Sequence, residues 1–209
     1  MDQYSNSIAK RYDELSKQEC CLSCGGAFSA ADIKPGHICV DLGCGKGHDV
    51  LRMATLAGND GYAWGIDISE GMMETARNQA KKLGLTQTGF IKSELEAIDL
   101  EKEIADVVIS NCTINHSLHQ DKVWEEIARI LKKGGQFVVS DIYALKPIPE
   151  SYRNNPDMVA ECWAGAVTRD EYIQNIEQAG LKDIEFLEES KPYEKGEVLV
   201  ASFTVKGHK

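Results

Sequence analysis

The stretch Cys39-Val40-Asp41-Leu42-Gly43-Cys44-Gly45-Lys46-Gly47 constrains the fold more than any other part of the chain. Ile38, Val40 and Leu42 lead into it as a buried strand would. Three glycines at every second position then let the backbone turn sharply and approach a ligand that a Cβ would block. His48 to Ala54 follows with a helical pattern, so a ligand at the turn meets free N–H groups at a helix N-terminus.

The residues around the turn narrow the ligand. Dinucleotide loops of the G-x-G-x-x-G kind hold a pyrophosphate on that helix end. Here the glycines fall at 43, 45 and 47, and position 48 is His. Asp41, two positions before the first glycine, would repel a diphosphate and suit an ammonium group. Asp67 lies 20 positions beyond Gly47, at the end of Tyr62-Ala63-Trp64-Gly65-Ile66, where a ribose-binding carboxylate belongs. A nucleoside carrying an amino acid, without phosphates, fits all three facts; another nucleotide or a bare turn is the alternative. The stretch resembles motif I of class I methyltransferases, which bind S-adenosylmethionine.

That resemblance implies roles. Asp41 holds the amino group of the cofactor, and the backbone of Gly43, Cys44, Gly45 and Gly47 lines its methionine portion. Asp67 takes the ribose hydroxyls, while Ile68 and Met72 flank the adenine. The turn after the third strand contributes Leu95 against the ring and Glu96 to its amino group. Asn111, ending the fourth strand, stands at the sheet edge where ligands bind in open α/β folds.

A chain of 209 residues suits one α/β domain. Its net charge of −10 disfavours nucleic acid or an anionic membrane as substrate. The amino terminus shows no basic segment followed by an apolar run, and no apolar run approaches the ~20 residues of a membrane helix. The expectation is a cytoplasmic protein, where thiols stay reduced. Seven cysteines then point to reactive or ligand thiols rather than a disulfide framework.

Residues 3–17 place Tyr4, Ile8, Tyr12 and Leu15 on one face of a short helix. Cys20-Cys21-Leu22-Ser23-Cys24-Gly25-Gly26 reads as a loop, and together these make an N-terminal segment, 1–33. From 34 to 209 strands and helices alternate in a single domain. Strands are expected at 61–67, 89–93, 105–111 and 136–140. Helices are expected at 69–83, with Ser69 as N-cap and Gly84 as stop, and at 120–131, closed by Gly134-Gly135. Three prolines break the rhythm over 146–156, and Thr168 with Glu171 forms a capping box for a helix ending at Gly180. Strands near 183–189 and 197–205 close the chain as an antiparallel hairpin. The fold class is therefore α/β, Rossmann-like, with a mostly parallel seven-stranded sheet covered by helices on both faces.

A narrower resemblance rests on three further stretches. Ile109-Ser110-Asn111-Cys112-Thr113-Ile114-Asn115, Ser140-Asp141-Ile142-Tyr143 and Glu161-Cys162-Trp163-Ala164-Gly165-Ala166 look like the arsenite methyltransferases. In that family three thiolates hold trivalent arsenic. Carried over, they fall on Cys24, Cys112 and Cys162, which would be the catalytic and metalloid-ligating residues. Cys20 and Cys21 resemble an additional thiol used in relay or re-reduction, which implies a thiol reductant of the glutathione or thioredoxin type as partner. The N-terminal segment is shorter than the family's, and the chain ends where longer members continue into a C-terminal domain. Cys39 reads as a small core residue and Cys44 as a structural one.

The chemistry matches these residues. Soft, thiophilic ions select thiolates over oxygen ligands. Three sulfur ligands leave trivalent arsenic a lone pair, which is itself the nucleophile for displacement at a sulfonium methyl, so no general base is needed. Two other readings stand beside this one. A small-molecule carbon or oxygen methyltransferase needs an acid or base near Asn111, and His116 is the candidate there; otherwise His116 and His119 read as surface residues at a helix entry. A non-catalytic metalloid-binding thiol sensor would keep S-adenosylmethionine as a structural ligand. Cys21-x-x-Cys24 has no second pair to complete a zinc site.

Overall fold

Glycine placement and apolar alternation set the element order in the computed structural model, which describes residues 2–17 and 25–209. Helix α1 (Gln3–Ser16) starts where the Asp2 carboxylate accepts from the Tyr4 and Ser5 N–H groups. A short α2 (Ala27–Ala30) precedes β1 (Ile38–Leu42), and α3 (His48–Ala57) follows the glycine turn. Then come β2 (Tyr62–Asp67), α4 (Glu70–Leu83), β3 (Thr88–Lys92), β4 (Ala105–Asn111), α5 (Gln120–Ile130) and β5 (Leu131–Ala144). Ser69 caps α4 by accepting from the Met72 N–H, and Gly84 ends it in a left-handed conformation, as expected.

Seven strands run in the order β3-β2-β1-β4-β5-β8-β6, where β6 is Lys182–Glu189 and β8 is Val198–His208. The first five are parallel, and β8 enters antiparallel between β5 and β6. A short β7 (Tyr193–Lys195) turns back on β8 as an eighth strand, so the closing hairpin has an extra arm. Alternate residues serve opposite faces of the sheet. Val40 and Val108 pack with Trp124, Phe137 and Tyr172 on one side, beneath α5 and α8 (Arg169–Gln178). Cys39, Val107, Ile109 and Val138 pack with Val50 and Met53 of α3 on the other.

One boundary differs from expectation. Helix α5 stops at Ile130, not at Gly134-Gly135, because Leu131 is already extended and pairs with Ala105. The next registered pair is Val107 with Gln136, so the two glycines sit in an irregularity of β5, with Gly134 at φ 78°. The tertiary pairing overrides the stop signal.

The proline-broken segment folds into α6 (Glu150–Arg153) and α7 (Pro156–Val159) and runs on through Cys162. Its Ile148, Val159, Trp163 and Ala164 form a third apolar cluster with Ile142, Ala144 and Val200, beyond the carboxyl ends of the parallel strands. Helix α1 packs against both α4 and α7. No helix among the described residues is long and apolar enough to cross a membrane.

Candidate active site

The carboxyl edge of the sheet opens into two adjoining cavities that share Gly43, Gly45 and Asn111. The smaller, about 70 Å³, is lined by Asp41, Cys44, Lys46, His48 and Asp49 besides those three. The larger, about 550 Å³, runs from Asp67, Ile68, Leu95 and Glu96 past Cys112 and Cys162 to Trp163 and Tyr193.

At the first end the turn is shaped by Gly43, Gly45 and Gly47, with φ of 72°, 51° and 78°. A Cβ on Gly43 would also collide with Thr113, so that position is closed to any other residue. Asp67 binds the turn through its carboxylate, which accepts from the Gly45 N–H and the Ser69 N–H at 2.8 Å each. Asp41 is buried beneath the same turn. Burial and the nearby carboxylates of Asp49 and Asp67 push its pKa well up. Asp49, in the first turn of α3, accepts from Asn111 Nδ2 at 3.2 Å and from Arg52 at 3.0 Å. Cys44 faces the small cavity and packs into the apolar cluster of Val50 and Met53.

Ile68, Leu95 and Glu96 line the larger cavity, and Glu96 accepts a hydrogen bond from the Ser117 hydroxyl. Met72 does not. It is wholly buried and lines neither cavity. Gly47 is the N-cap of α3 and also stays outside both linings.

At the other end stand the two thiols. Cys112 directly follows β4, and its N–H donates to the Ser140 carbonyl at 2.8 Å, extending the β4–β5 ladder. The Cys162 thiol donates to the Cys112 carbonyl at 3.2 Å and lies 3.7 Å from Asp141 Oδ1. Both cysteines have left-handed backbones, φ 52° and 76°, shared among the described non-glycine residues only by Glu103 and Asp183. A β-carbon makes that conformation cost on the order of 1–2 kcal/mol, and such strain collects at functional sites. Burial first, then Asp141 and Cys112, raise the Cys162 pKa well above the usual thiol range. Cys24, Cys20 and Cys21 lie outside the described residues. Among those described, no three His, Cys, Asp or Glu side chains are grouped to hold a metal ion.

A buried polar network holds the Cys162 segment. Asn115 Nδ2 donates to Asp141 Oδ1 at 2.8 Å and to the Ile142 carbonyl at 2.7 Å. Gln120 Nε2 donates to Asn115 Oδ1 and to the Gly165 carbonyl, at 2.9 and 3.0 Å. Asp141 Oδ2 is buried with no hydrogen-bond partner. Burial lifts the Asp141 pKa to about 7 against four hydrogen bonds that pull it down. Its folded pKa thus exceeds its unfolded one, so its contribution to stability is present below pH 4 and is lost as the pH rises to about 7. Asp141→Asn, neutral throughout, should gain on the wild type across that window by on the order of a few kcal/mol and then plateau. Denaturant unfolding at half-unit pH steps reads this; a constant difference would show that Asp141 is charged in the folded protein.

Two features were not read from the sequence. His116 is buried, not a surface residue, and its Nε2 lies 2.9 Å from the Tyr12 hydroxyl of α1. The face of α1 that carries Tyr4, Ile8, Tyr12 and Leu15 forms a wall of the large cavity. Its apolar spacing was visible, but not what it covers. His119 is exposed, as expected.

Residues 33–182 match the methyltransferase domain family. An arsenite methyltransferase of Halobacterium salinarum is 32% identical over 78% of this chain, which spans 42% of that relative. The chain spans half or less of the length of the first curated relatives it matches. A ubiquinone/menaquinone biosynthesis C-methyltransferase of Ralstonia pickettii is 27% identical, with 87% of this chain and 84% of the relative covered. The crystal structure of an arsenic(III) S-adenosylmethionine methyltransferase from Chlamydomonas reinhardtii superposes with a TM-score of 0.79 at 29% identity, covering all of this chain and 74% of its own.

The donor set at the turn fits the cofactor of this family. Asp41, Asp49 and Asp67 crowd one end of the site, an arrangement that suits a cationic group and disfavours a phosphate. S-Adenosylmethionine brings an ammonium and a sulfonium and no phosphate. Asp67→Ala should weaken its binding by roughly 1.5–3 kcal/mol, the loss of hydrogen bonds to a charged acceptor. Calorimetry giving unchanged affinity in a folded variant would remove Asp67 from the ribose site. With its glycine turn, acidic strand ends and Rossmann-like sheet order, the chain belongs to the methyltransferase domain family.

Proposed function

We propose that this enzyme methylates trivalent arsenic, or a like thiophilic metalloid, held by the thiolates of Cys112 and Cys162 with Cys24 as third ligand. The observation that carries the reading is the pair of strained cysteines, one thiol resting on the other's backbone carbonyl, in the wall of the cavity that begins at Asp67. Arsenite methyltransferases among its relatives support the acceptor class.

S-Adenosylmethionine supplies an electrophilic methyl group at its sulfonium. The residues of the chain do the rest by holding and orienting. Asp41, Asp67 and the glycine turn fix the donor at the strand ends, while Cys112 and Cys162 present the acceptor from the facing wall. Sulfur ligands suit a soft metalloid and leave its lone pair on the open side, so no side chain has to remove a proton in the transfer step. Rate then comes from positioning of two bound reactants and from exclusion of water by α1 and the α6–α7 segment. Each thiol must lose its proton when the acceptor binds, which the raised Cys162 pKa makes costly. A thiol reductant, with Cys20 and Cys21 as relay, would return the cysteines to their reduced form.

The test is incubation with labelled S-adenosylmethionine, a thiol reductant and a panel of arsenic, antimony, bismuth, tellurium and mercury species, followed by speciation of products. Methylated arsenic is the expected result. Turnover on an organic acceptor with none on any metalloid would replace this reading with a carbon or oxygen methyltransferase. Tight metalloid binding without turnover would replace it with a thiol sensor.

A further inference from the structure

The segment that carries Glu96 into the large cavity has no helix or strand of its own. It runs from the end of β3 at Lys92 to the start of β4 at Ala105, and β2 and β1 lie between those strands in the sheet. Backbone groups in such a connection need partners from elsewhere. Both backbone groups of Ile98 are bound by side chains of α5. Glu126 Oε2 accepts from the Ile98 N–H at 2.7 Å, and Arg129 Nη2 donates to the Ile98 carbonyl at 2.7 Å. Arg129 Nη1 reaches on to the Leu100 carbonyl, also at 2.7 Å. The two α5 side chains are themselves locked together: Arg129 Nε and Nη2 donate to the two oxygens of Glu126 at 2.6 and 2.8 Å. All three nitrogens of the guanidinium are thereby used, and neither residue lines a cavity.

Two residues before Ile98, Glu96 lines the large cavity beside Leu95. Its Oε1 accepts from the Ser117 hydroxyl, and the Ser117 oxygen in turn accepts from the His119 N–H at 2.9 Å. One carboxylate oxygen is thus fixed through its side chain, which leaves Oε2 for a ligand. The backbone that bears it is fixed two residues on by the α5 pair.

We infer that Arg129, held by Glu126, is a positioning residue for the base of the nucleoside donor: by fixing Ile98 and Leu100 it sets where Glu96 meets the exocyclic amino group of adenine. The inference rests on a nucleoside donor whose base faces Glu96, and it is independent of the acceptor. A guanidinium can do this where an ammonium cannot, since its planar fork serves two carbonyls and a carboxylate at once. Selectivity for the base is then set from outside the cavity that holds it.

The discriminating probes are S-adenosylhomocysteine and S-inosylhomocysteine, which differ only in the base, an oxo group replacing the amino group. Calorimetric titration reads both without any turnover. The wild type should prefer the adenine nucleoside by about tenfold or more, the size of a hydrogen bond to a charged acceptor. Glu96→Gln should erase that preference, because an amide can accept from an amino group or donate to an oxo group. Arg129→Gln should lower the ratio by about threefold or more, with Glu96 present but no longer held in place. Arg129→Lys keeps the charge and forfeits the fork, so it should lower the ratio too, and it stands in if Arg129→Gln does not fold. Cys39→Ser, a destabilising change away from this connection, should keep the wild-type ratio. An unchanged ratio in a folded Arg129 variant, with the preference lost in Glu96→Gln, would overturn the positioning role and make the pair a stabilising clamp only. An equal fall in Cys39→Ser would overturn it as well, by showing a general loosening. An unchanged ratio in Glu96→Gln, or no preference in the wild type, would overturn the placement of adenine at Glu96 and the inference with it.

Discussion

Cys162→Ser and Cys112→Ser should each abolish methyl transfer to a metalloid while leaving S-adenosylmethionine affinity at the wild-type value. Serine keeps the shape of the side chain and the strained backbone, so the segment at φ 76° or 52° should hold. It replaces a soft, ionisable sulfur with a hard hydroxyl that does not ionise near neutral pH, and a thiophilic acceptor loses its ligand. The cofactor end, from Asp41 to Glu96, contains neither residue. Cys39→Ser is the control. Cys39 is wholly buried in the apolar cluster under α3, and a hydroxyl there should lower stability by about 1–3 kcal/mol with turnover retained in the folded fraction. Product speciation and calorimetry on the same preparations separate the two outcomes. Normal turnover in both site variants would refute the thiolate mechanism.

Gly165→Ala should have the largest effect of any single methyl group added to this chain. A Cβ at Gly165 would collide with the Asn115 carbonyl oxygen, a backbone atom that cannot swing away as a side chain could. Nor can the two segments part freely, because Gln120 bonds both Asn115 and the Gly165 carbonyl, and Asn115 holds Asp141. A cost on the order of 3 kcal/mol or more is expected, at the upper end of overpacking effects. Gly84→Ala is the comparison: its φ is 69° and nothing lies within 4 Å of the added carbon, so only backbone strain of about 1 kcal/mol applies. Thermal unfolding of both variants reads the difference. If Gly165→Ala costs no more than Gly84→Ala, the close approach of the Cys162 segment to the Asn115 turn is not maintained in solution.

Local signals carried most of the fold. Three left-handed glycines between an apolar strand and a helix have few alternatives, and the Ser69 and Gly84 boundaries of α4 follow from capping chemistry alone. Where two elements compete for the same residues, pattern is not enough. Ile130 and Leu131 are apolar under either reading, and only the pairing of Leu131 with Ala105 makes the second of them a strand residue. Likewise the resemblance marked Cys112 and Cys162, but what holds them could not be seen. His116 is buried because Tyr12, 104 residues away, covers it, and Asp141 matters because Asn115 and Cys162 meet its carboxylate. The complete burial of Met72 likewise follows from tertiary packing that its distance from Asp67 in sequence does not reveal.

Helix α1 is also fastened at its far side. Asp13 Oδ1 accepts from the Ser69 hydroxyl at 2.6 Å and from the Gly71 N–H at 3.0 Å, so an α1 carboxylate completes the start of α4. Ser69 in turn donates its N–H to Asp67. Lifting α1 from α4 would therefore undo the same bonds that close the first turn of α4, two residues from Asp67. Protection of the Gly71 amide from solvent exchange should report how tightly α1 is held to α4, and it should rise when a nucleoside occupies the cavity that α1 walls.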